Sequence, residues 1–313
     1  MGGKITDVAR AAGVSTATVS RVFSAHPYTT EDVRGKVFAA ARELGYSPKY
    51  GSPQGGFALL LAGMEMMDVW PFERQLIKAV TATLFAHGQR VQIVSENCLD
   101  YLHGNSFKVA IAISSKLAGR LPLALLPTLT VNFPVEGAHR VSTDHFQGAA
   151  LAVDHLVERG HRRVAFIGQA ADNWGELERE RGFLAALERH GLPAAEGCVQ
   201  RPKGNAAVVA AAARVAGDGS TAVVAAGEGR GQLLNYALWS LGKRVPDDLS
   251  VVSFEDAEIS PYLTPPQTTV SQDFAALGRH AAEAALEIAA GRRELVELTL
   301  PNVLVERMSV KRL

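Results

Sequence analysis

The chain of 313 residues contains two series of short apolar runs, and helix-like patterns separate many of them. The first series comprises 57–63, 90–94, 108–113 and 128–133, and the second comprises 162–168, 221–227 and 249–254. Apolar runs of this length are typical of parallel strands that are buried on both faces. The main helical stretches are 72–87, 146–159, 176–190, 232–241 and 274–290. This alternation predicts an α/β core of two lobes, each a doubly wound parallel sheet, with a ligand crevice.

The first 45 residues carry a different pattern, which predicts three short helices. Apolar residues at helical spacing predict the first helix over 5–12, and a turn follows at 13–14. Ser15 is an N-cap residue for a second helix that runs to about Phe23. A third helix runs over 30–45. Three helices of this size predict a small all-α unit in front of the core.

The second helix has two faces of different character. Its inward face is apolar and consists of Val14, Val19, Val22 and Phe23. Its outward face consists of Thr16, Ala17, Ser20 and Arg21. Small side chains allow close approach to another surface, while an arginine can reach a guanine edge or a phosphate. The pattern predicts a helix-turn-helix that enters the major groove; a helical cap with a solvated Ser/Thr face is the alternative.

Charge is distributed unevenly, although the whole chain has 32 basic and 32 acidic residues. The first fifty residues hold seven basic and four acidic side chains, so this part carries +3 and the remainder −3. Such asymmetry indicates a small basic module joined to a larger acidic one. The two cysteines, Cys98 and Cys198, favour a reducing compartment over a disulfide scaffold. No apolar signal core stands at the N-terminus, so we expect a cytoplasmic protein.

The helical segment "KITDVARAAGVSTATVSRVFS" at 4–24, followed by "EDVRGKVFAAARELGYSP" at 31–48, resembles the DNA-binding headpiece of the lactose-repressor (LacI) family of bacterial transcriptional regulators. The resemblance is nearly residue for residue over 4–48 and continues more loosely to the C-terminus. The looser matches include "WPFERQLIKAV", "HLVERGHRRVAFIG", "RERGFLAALERHGL", "VPDDLSVVSFEDAEISPYLTPPQTTV" and "LGRHAAEAALE".

The resemblance implies a helix-turn-helix headpiece at 1–48, a hinge at 49–56 and an effector-binding and dimerisation core at 57–313. The core resembles periplasmic sugar-binding proteins, with an N-lobe of about 57–142 and 272–292 and a C-lobe of about 143–271 and 293–308. The implied protein is no enzyme but a repressor that binds double-stranded operator DNA as a homodimer. The C-terminal "VERMSVKRL" leaves little room for the extra helix of tetrameric members, so a dimer is expected.

Carried over by position, the base-reading residues are Thr16, Ala17 and Arg21. Those that contact or orient the DNA backbone are Ser15, Thr18, Ser20 and Tyr28. The hinge departs from the family pattern, because "KYGSPQGG" at 49–56 offers no leucine to wedge into the minor groove. Its glycines make helix formation costly. We expect a tether there, and Tyr50 as a substitute wedge is the alternative.

The implied effector is a sugar or a phosphorylated sugar bound in the crevice. The candidate effector-binding residues are Trp70, Phe72, Asn132, Arg179, Glu228 and Glu255. Arg179 matches the family's ligand-binding arginine, and Glu255 replaces the usual aspartate. Gly227 and Glu228 replace an Asn-Asp pair. Trp70 and Phe72 are expected to form an aromatic wall, although core packing explains either of them alone nearly as well.

Individual motifs offer three alternative functions: dinucleotide binding, metal binding and simple sugar binding. "TAVVAAGEGRGQLLN" at 221–235 has a strand, glycines and a helix, but Gln232 stands where a dinucleotide fingerprint needs its third glycine. Arg230 and this helix start still favour a phosphorylated effector. The spacings of His139, His145, His155 and His161 fit no tight metal-ligand pair. A plain sugar-binding protein would not need the headpiece.

Overall fold

The computed structural model describes residues 4–23, 29–44, 46, 55–62, 71–102, 107–123, 126–169, 173–227, 229–292 and 294–313. The chain divides into two compact units. Unit 1 comprises Met1–Ser142 and Phe274–Leu298, and unit 2 comprises Thr143–Asp273 and Thr299–Leu313. Among the described residues, no helix combines the length and hydropathy that a bilayer crossing requires.

Unit 1 begins with the three predicted helices: α1 (Ile5–Ala12), α2 (Thr16–Phe23) and α3 (Glu31–Glu43). Gly13 ends α1 with φ at +67°, a left-handed conformation that glycine adopts without steric cost. The three helices share one apolar core. Its most completely buried members are Val8, Val19, Val22 and Val37. The helical spacing of these residues therefore predicted both the elements and the faces that they bury.

The sheet of unit 1 contains six strands among the described residues. They are β1 (Gly56–Leu61), β2 (Val91–Ser95), β3 (Phe107–Ala112), β4 (Thr128–Val131), β5 (His139–Thr143) and β11 (Glu297–Leu300), in the order β11-β5-β4-β3-β1-β2. The pairings of β1 with β2 and β3, and of β4 with β3 and β5, are parallel. Helices α4 (Pro71–Ala86) and α9 (Phe274–Ala289) pack against each other in this unit. β1 begins at Gly56, one residue before the predicted start of the core.

The sheet of unit 2 also contains six strands in the part of the chain that is described. They are β6 (Val164–Ile167), β7 (Val199–Gln200), β8 (Ala222–Ala225), β9 (Ser250–Phe254), β10 (Thr268–Ser271) and β12 (Val303–Val305), in the order β12-β10-β9-β8-β6-β7. β12 pairs antiparallel with β10 and closes one edge, whereas the other pairings are parallel. The helices of this unit are α5 (His145–Glu158), α6 (Trp174–Arg189), α7 (Asn205–Gly217) and α8 (Arg230–Ser240). Short 3-10 helices elsewhere cover Glu96–Tyr101, Ser115–Arg120 and Ser260–Tyr262.

The predicted fold class, a helical headpiece followed by two α/β lobes with parallel sheets, is confirmed. The sequence patterns missed five strands, β5, β7, β10, β11 and β12, and the helix α7. β10 reads "TTVS", and Thr268 and Thr269 within it are fully buried although they are polar. Their hydroxyls are satisfied by contacts that lie far away in the sequence: Thr268 Oγ1 accepts the Arg307 N–H at 3.0 Å, and Thr269 Oγ1 donates to Asp256 at 3.0 Å.

Gly182 determines how closely α5 and α6 pack in unit 2. A Cβ atom at this position would lie 2.1 Å from the carbonyl oxygen of Phe146 and 2.8 Å from its carbonyl carbon. Both obstructing atoms belong to the backbone of α5, so no side-chain rotation relieves the overlap. Glycine is therefore a packing requirement at this helix crossing.

We expect Gly182→Ala to lower the free energy of unfolding by about 1–3 kcal/mol, because the two helices must separate to admit the methyl group. Urea-induced unfolding of the full chain measures this change. Gly217→Ala is the matched control, since that helical glycine has no heavy atom within 4 Å of the added Cβ. The control should be neutral or slightly stabilising, and equal effects of the two substitutions would contradict the packing requirement.

Candidate functional site

Ser15 caps the N-terminus of α2. Its Oγ accepts the Thr18 backbone N–H at 3.0 Å and lies 2.9 Å from the Thr18 hydroxyl. An N-cap of this kind satisfies one of the amides that a helix start leaves without an acceptor. Ser15 and Thr18, predicted to contact or orient the DNA backbone, are therefore joined to each other in the free chain.

The inward face of α2 is fixed by aromatic and aliphatic packing. The Phe23 ring makes edge contacts with Phe38 at 5.9 Å and with Tyr46 at 5.7 Å between centroids. Val19 and Val22 are buried beside it. Because this face is held against α1 and α3, the opposite face of α2 points to solvent.

The outward face carries the predicted base-reading residues. Thr16, Ala17 and Arg21 are exposed, and Ser20 is partly buried. They follow one another at helical spacing along the first two turns of α2. The predicted contact Tyr28 lies outside the described residues, as does Tyr50 of the hinge.

The candidate effector residues fall into both units. Phe72 and Asn132 belong to unit 1, where the Phe72 ring packs on Phe274 at 5.7 Å between centroids. Asn132 has φ at +64°, a left-handed conformation that asparagine tolerates better than most residues. Arg179 and Glu255 belong to unit 2. Trp70 and Glu228 lie outside the described residues.

Unit 2 brings charged side chains together at the carboxyl ends of three adjacent strands, β6, β8 and β9. Arg179 on α6 donates from Nη1 to Glu176 Oε1 at 2.8 Å, and both side chains are more than 90% buried. The second oxygen of Glu176 accepts the Gln169 N–H at 3.3 Å. The Arg179 guanidinium also lies over the Phe254 ring, 4.7 Å from its centroid. The carboxyl ends of parallel strands are where open α/β sheets bind ligands.

Glu255 directly follows β9 and belongs to this charged cluster. Burial raises its pKa from the ordinary value of 4.5 to about 7, and the nearby Glu176 carboxylate adds to the rise, while the Arg179 guanidinium opposes it. The backbone of Glu255 has φ at +66°, an uncommon conformation for glutamate that costs of order 1–3 kcal/mol. Near neutral pH this carboxyl is therefore divided between a form that donates a hydrogen bond and one that only accepts.

Asp256 and Arg307 fix the loop that carries Glu255. Arg307 donates from Nη2 to Asp256 Oδ2 at 3.0 Å and approaches Oδ1 with Nη1 at 2.8 Å. The same Nη1 donates to the carbonyl of Gln267 at 2.7 Å. A two-point arginine–carboxylate contact fixes orientation as well as distance. The turn after β9 is thereby tied to β10 and to the chain beyond β12.

Sequence reasoning missed Glu176, Phe254 and His145 as members of this cluster. Glu176 is detectable in principle, because it precedes Arg179 by three residues on the same helical face. His145 packs on Trp174 at 5.3 Å between ring centroids, and burial together with the Arg179 charge lowers its pKa well below the ordinary value. Among the described residues, no three His, Cys, Asp or Glu side chains are grouped so as to hold a metal ion.

Removing the Ser15 hydroxyl tests the N-cap. We expect Ser15→Ala to destabilise α2 by about 0.5–2 kcal/mol and to speed hydrogen exchange of the α2 amides several-fold, measured by mass spectrometry on the full chain. Thr16→Ala also removes a hydroxyl, but from an exposed position next to the cap. Equal exchange rates in the two variants would show that Ser15 does not stabilise the helix.

The raised pKa of Glu255 predicts a specific pH dependence of stability. The folded protein holds this proton more tightly than the unfolded chain, because the pKa is higher in the folded state. The stabilisation that results is complete below about pH 4.5 and is lost as the pH rises through about 7. Glu255→Gln cannot ionise and avoids that loss. We therefore expect its melting temperature, relative to the unsubstituted protein, to rise between about pH 5 and about pH 8.

Glu258→Gln in the same loop is the control, because this side chain is exposed. Its melting temperature should follow that of the unsubstituted protein across the same pH range. A constant offset for Glu255→Gln at every pH would contradict the shifted titration.

Comparison with known proteins agrees with both parts of this architecture. Residues 4–49 match the family described as bacterial regulatory proteins, lacI family. Residues 153–310 match the periplasmic binding protein-like domain. The two matches cover the headpiece and most of unit 2.

Similar proteins cover nearly the whole chain. The HTH-type transcriptional regulator GalS of Salmonella typhimurium strain LT2 is 30% identical over 312 residues, which span 93% of this chain and 91% of GalS. The structure of the transcriptional regulator CelR in complex with cellobiose is 27% identical, with a TM-score of 0.74 and coverage of 98% of this chain and 99% of that one. A lac repressor dimer bound to operator and the anti-inducer ONPF has the same fold, with 24% identity, a TM-score of 0.73 and coverage of 99% and 100%. The chain belongs to the LacI family of bacterial transcriptional regulators.

Proposed function

We propose that this protein is a repressor that binds a two-fold DNA operator as a homodimer, with an affinity that a small-molecule effector modulates. The proposal of DNA binding rests on the two faces of α2. Its apolar face is buried, and its small polar face, which ends in Arg21, is mostly exposed. A helix with this distribution can enter the major groove, because its backbone approaches the base edges closely. The proposed headpiece is 1–48 and the proposed hinge is 49–56.

Within the headpiece, each outward residue has a distinct proposed role. Arg21 reads a guanine edge through two parallel N–H donors, and Ala17 contacts a thymine methyl group. Thr16 reads an adjacent base edge. The hydroxyls of Ser15, Thr18 and Ser20, together with Tyr28, contact or orient phosphates. The hydrogen bond between the Ser15 and Thr18 hydroxyls uses one of their two hydrogens, so the other is available for donation to a phosphate.

We propose a dimer because a single headpiece contacts too little DNA to bind an operator tightly and selectively. One headpiece of this size reads only a few base pairs, whereas two headpieces related by a two-fold axis read two half-sites in successive major grooves. The core at 57–313 supplies the proposed dimer contacts and the effector site, as in other members of the family. An effector that favours one core conformation then changes operator affinity, typically by about 1–3 kcal/mol.

The proposed effector is a sugar or a phosphorylated sugar, and the cellobiose complex of CelR supports the sugar class. Arg179 and Glu255 are the proposed contacts for its polar groups, Asn132 is a further polar candidate and Phe72 an apolar one, and Trp70 and Glu228 remain candidates. Carboxylates and guanidinium groups held in a dry site bind hydroxyls strongly, since water competes poorly there. No step of this function requires catalysis.

Selection of bound sequences from random DNA duplexes, with and without a panel of sugars, tests the proposal. We expect enrichment of a two-fold sequence at moderate salt, and a change of affinity for it with one or more sugars. Failure to prefer any duplex over random competitor would overturn the function.

Substitution of Arg21 tests its proposed contact with a base. We expect Arg21→Ala to weaken operator binding by about 1–3 kcal/mol and to relax base preference at one position in each half-site. Fluorescence anisotropy with the selected duplex and its single-base variants measures both effects.

Arg10→Ala is the charge-matched control, because Arg10 lies on α1 with 82% of its side chain exposed. It should weaken binding to all duplexes alike, as loss of a non-specific charge does. Unchanged base preference in Arg21→Ala would remove Arg21 from the reading residues.

A further inference from the structure

Arg230 is a buried arginine without a hydrogen-bond or ion-pair partner among the described residues. It is the first residue of α8, and only 8% of its surface is exposed. Its buried Nε has no hydrogen-bond partner, and no hydrogen bond or ion pair joins its guanidinium to any residue that the structure describes. An arginine remains charged in proteins, so a mostly buried positive charge lacks a hydrogen-bonded anion among the described residues.

The Glu176 carboxylate does not supply the missing contact. Burial lowers the pKa of Arg230, and the Glu176 carboxylate opposes this change. Yet both Glu176 oxygens already accept hydrogen bonds, one from Arg179 and one from the Gln169 N–H. Glu176 therefore attracts Arg230 through space while it neutralises Arg179 by contact. The cluster is left with one cation that lacks a hydrogen-bonded anion.

The position of Arg230 suits an anion. The residue follows the carboxyl end of β8 and opens a helix of 11 residues, whose first amides have no acceptor within the helix. Its Cγ lies 3.2 Å from the position that a Cβ on Gly227 would occupy, so the side chain folds back over the turn between β8 and α8. Backbone N–H groups and the helix dipole favour negative charge at this end.

We propose that Arg230 binds an oxyanion group of the effector, a phosphate monoester or a carboxylate. This inference rests on the proposed function, because it names the chemical class of the effector that the core binds. The guanidinium offers two parallel N–H donors to a pair of anionic oxygens. A neutral sugar would leave the buried charge of Arg230 uncompensated.

Thermal unfolding of the full chain in inorganic phosphate and in acetate, each against sodium chloride at matched ionic strength, tests the proposal. We expect a saturable rise of the melting temperature beyond that in chloride. A rise in phosphate assigns a phosphate monoester, and a rise confined to acetate assigns a carboxylate. In Arg230→Gln the apparent affinity for the anion should be at least about tenfold weaker.

Two further variants isolate the role of Arg230. Arg244→Gln removes an arginine with 73% of its side chain exposed and should behave like the unsubstituted protein. Arg230→Lys keeps the charge but loses the paired donors, and should bind the anion with intermediate affinity. Arg230→Gln should fold at least as stably in chloride as the unsubstituted protein, because it removes a desolvated charge.

No saturable rise in either anion, or an equal rise in Arg230→Gln, would overturn the proposal. This failure is distinct from failure of the proposed function, because duplex selection in the absence of effector does not involve Arg230. A neutral sugar that stabilises Arg230→Gln and the unsubstituted protein equally would keep the effector function and reject the anionic class.

Discussion

The ion pair between Glu176 and Arg179 is the interaction on which the candidate effector site depends. It is buried, and it joins α6 to two strands, through the Gln169 N–H beyond β6 and through the Phe254 ring at the end of β9. A buried pair gains little net stability over an apolar replacement, but loss of one partner leaves an uncompensated charge in a dry site. The pair is therefore better understood as a means of orientation than as a source of stability. It holds the Arg179 guanidinium beside the Phe254 ring.

The two candidate sites differ in how much they destabilise the folded protein. The DNA-reading face of α2 consists of exposed small polar groups and an exposed arginine, which water solvates before DNA arrives. The cluster in unit 2 holds desolvated charges, a glutamate at positive φ and buried nitrogens without partners. Natural folds tolerate such violations of local rules mainly at functional positions, and the rest of the structure stabilises them. Here the support comes from the tightly packed α5 and α6 and from the Asp256–Arg307 contact.

The helices, the helix cap and the apolar strands were predictable from the sequence, because they depend on local residue patterns. The observed bounds of α1 are those predicted, and Ser15 caps α2 as its residue type indicates, because helices and caps are set by neighbours in the chain. Strands with continuous apolar runs, such as β1 and β9, were found for the same reason. β10 was missed because its buried threonines are satisfied by Arg307 and Asp256, which no local pattern reveals. The contact of Arg179 with Phe254 joins residues 75 positions apart in the chain, so the cluster could not be assembled from the sequence.

The glutamate at position 255 acquires its properties from its surroundings rather than from its residue type. The next residue, Asp256, is fixed by Arg307 at two points. Arg179 and Glu176 act electrostatically on the Glu255 carboxyl, with opposite effects on its pKa. Burial and the like charge of Glu176 then bring its pKa close to neutrality. Such a carboxyl donates a hydrogen bond when it is protonated and only accepts hydrogen bonds when it is ionised.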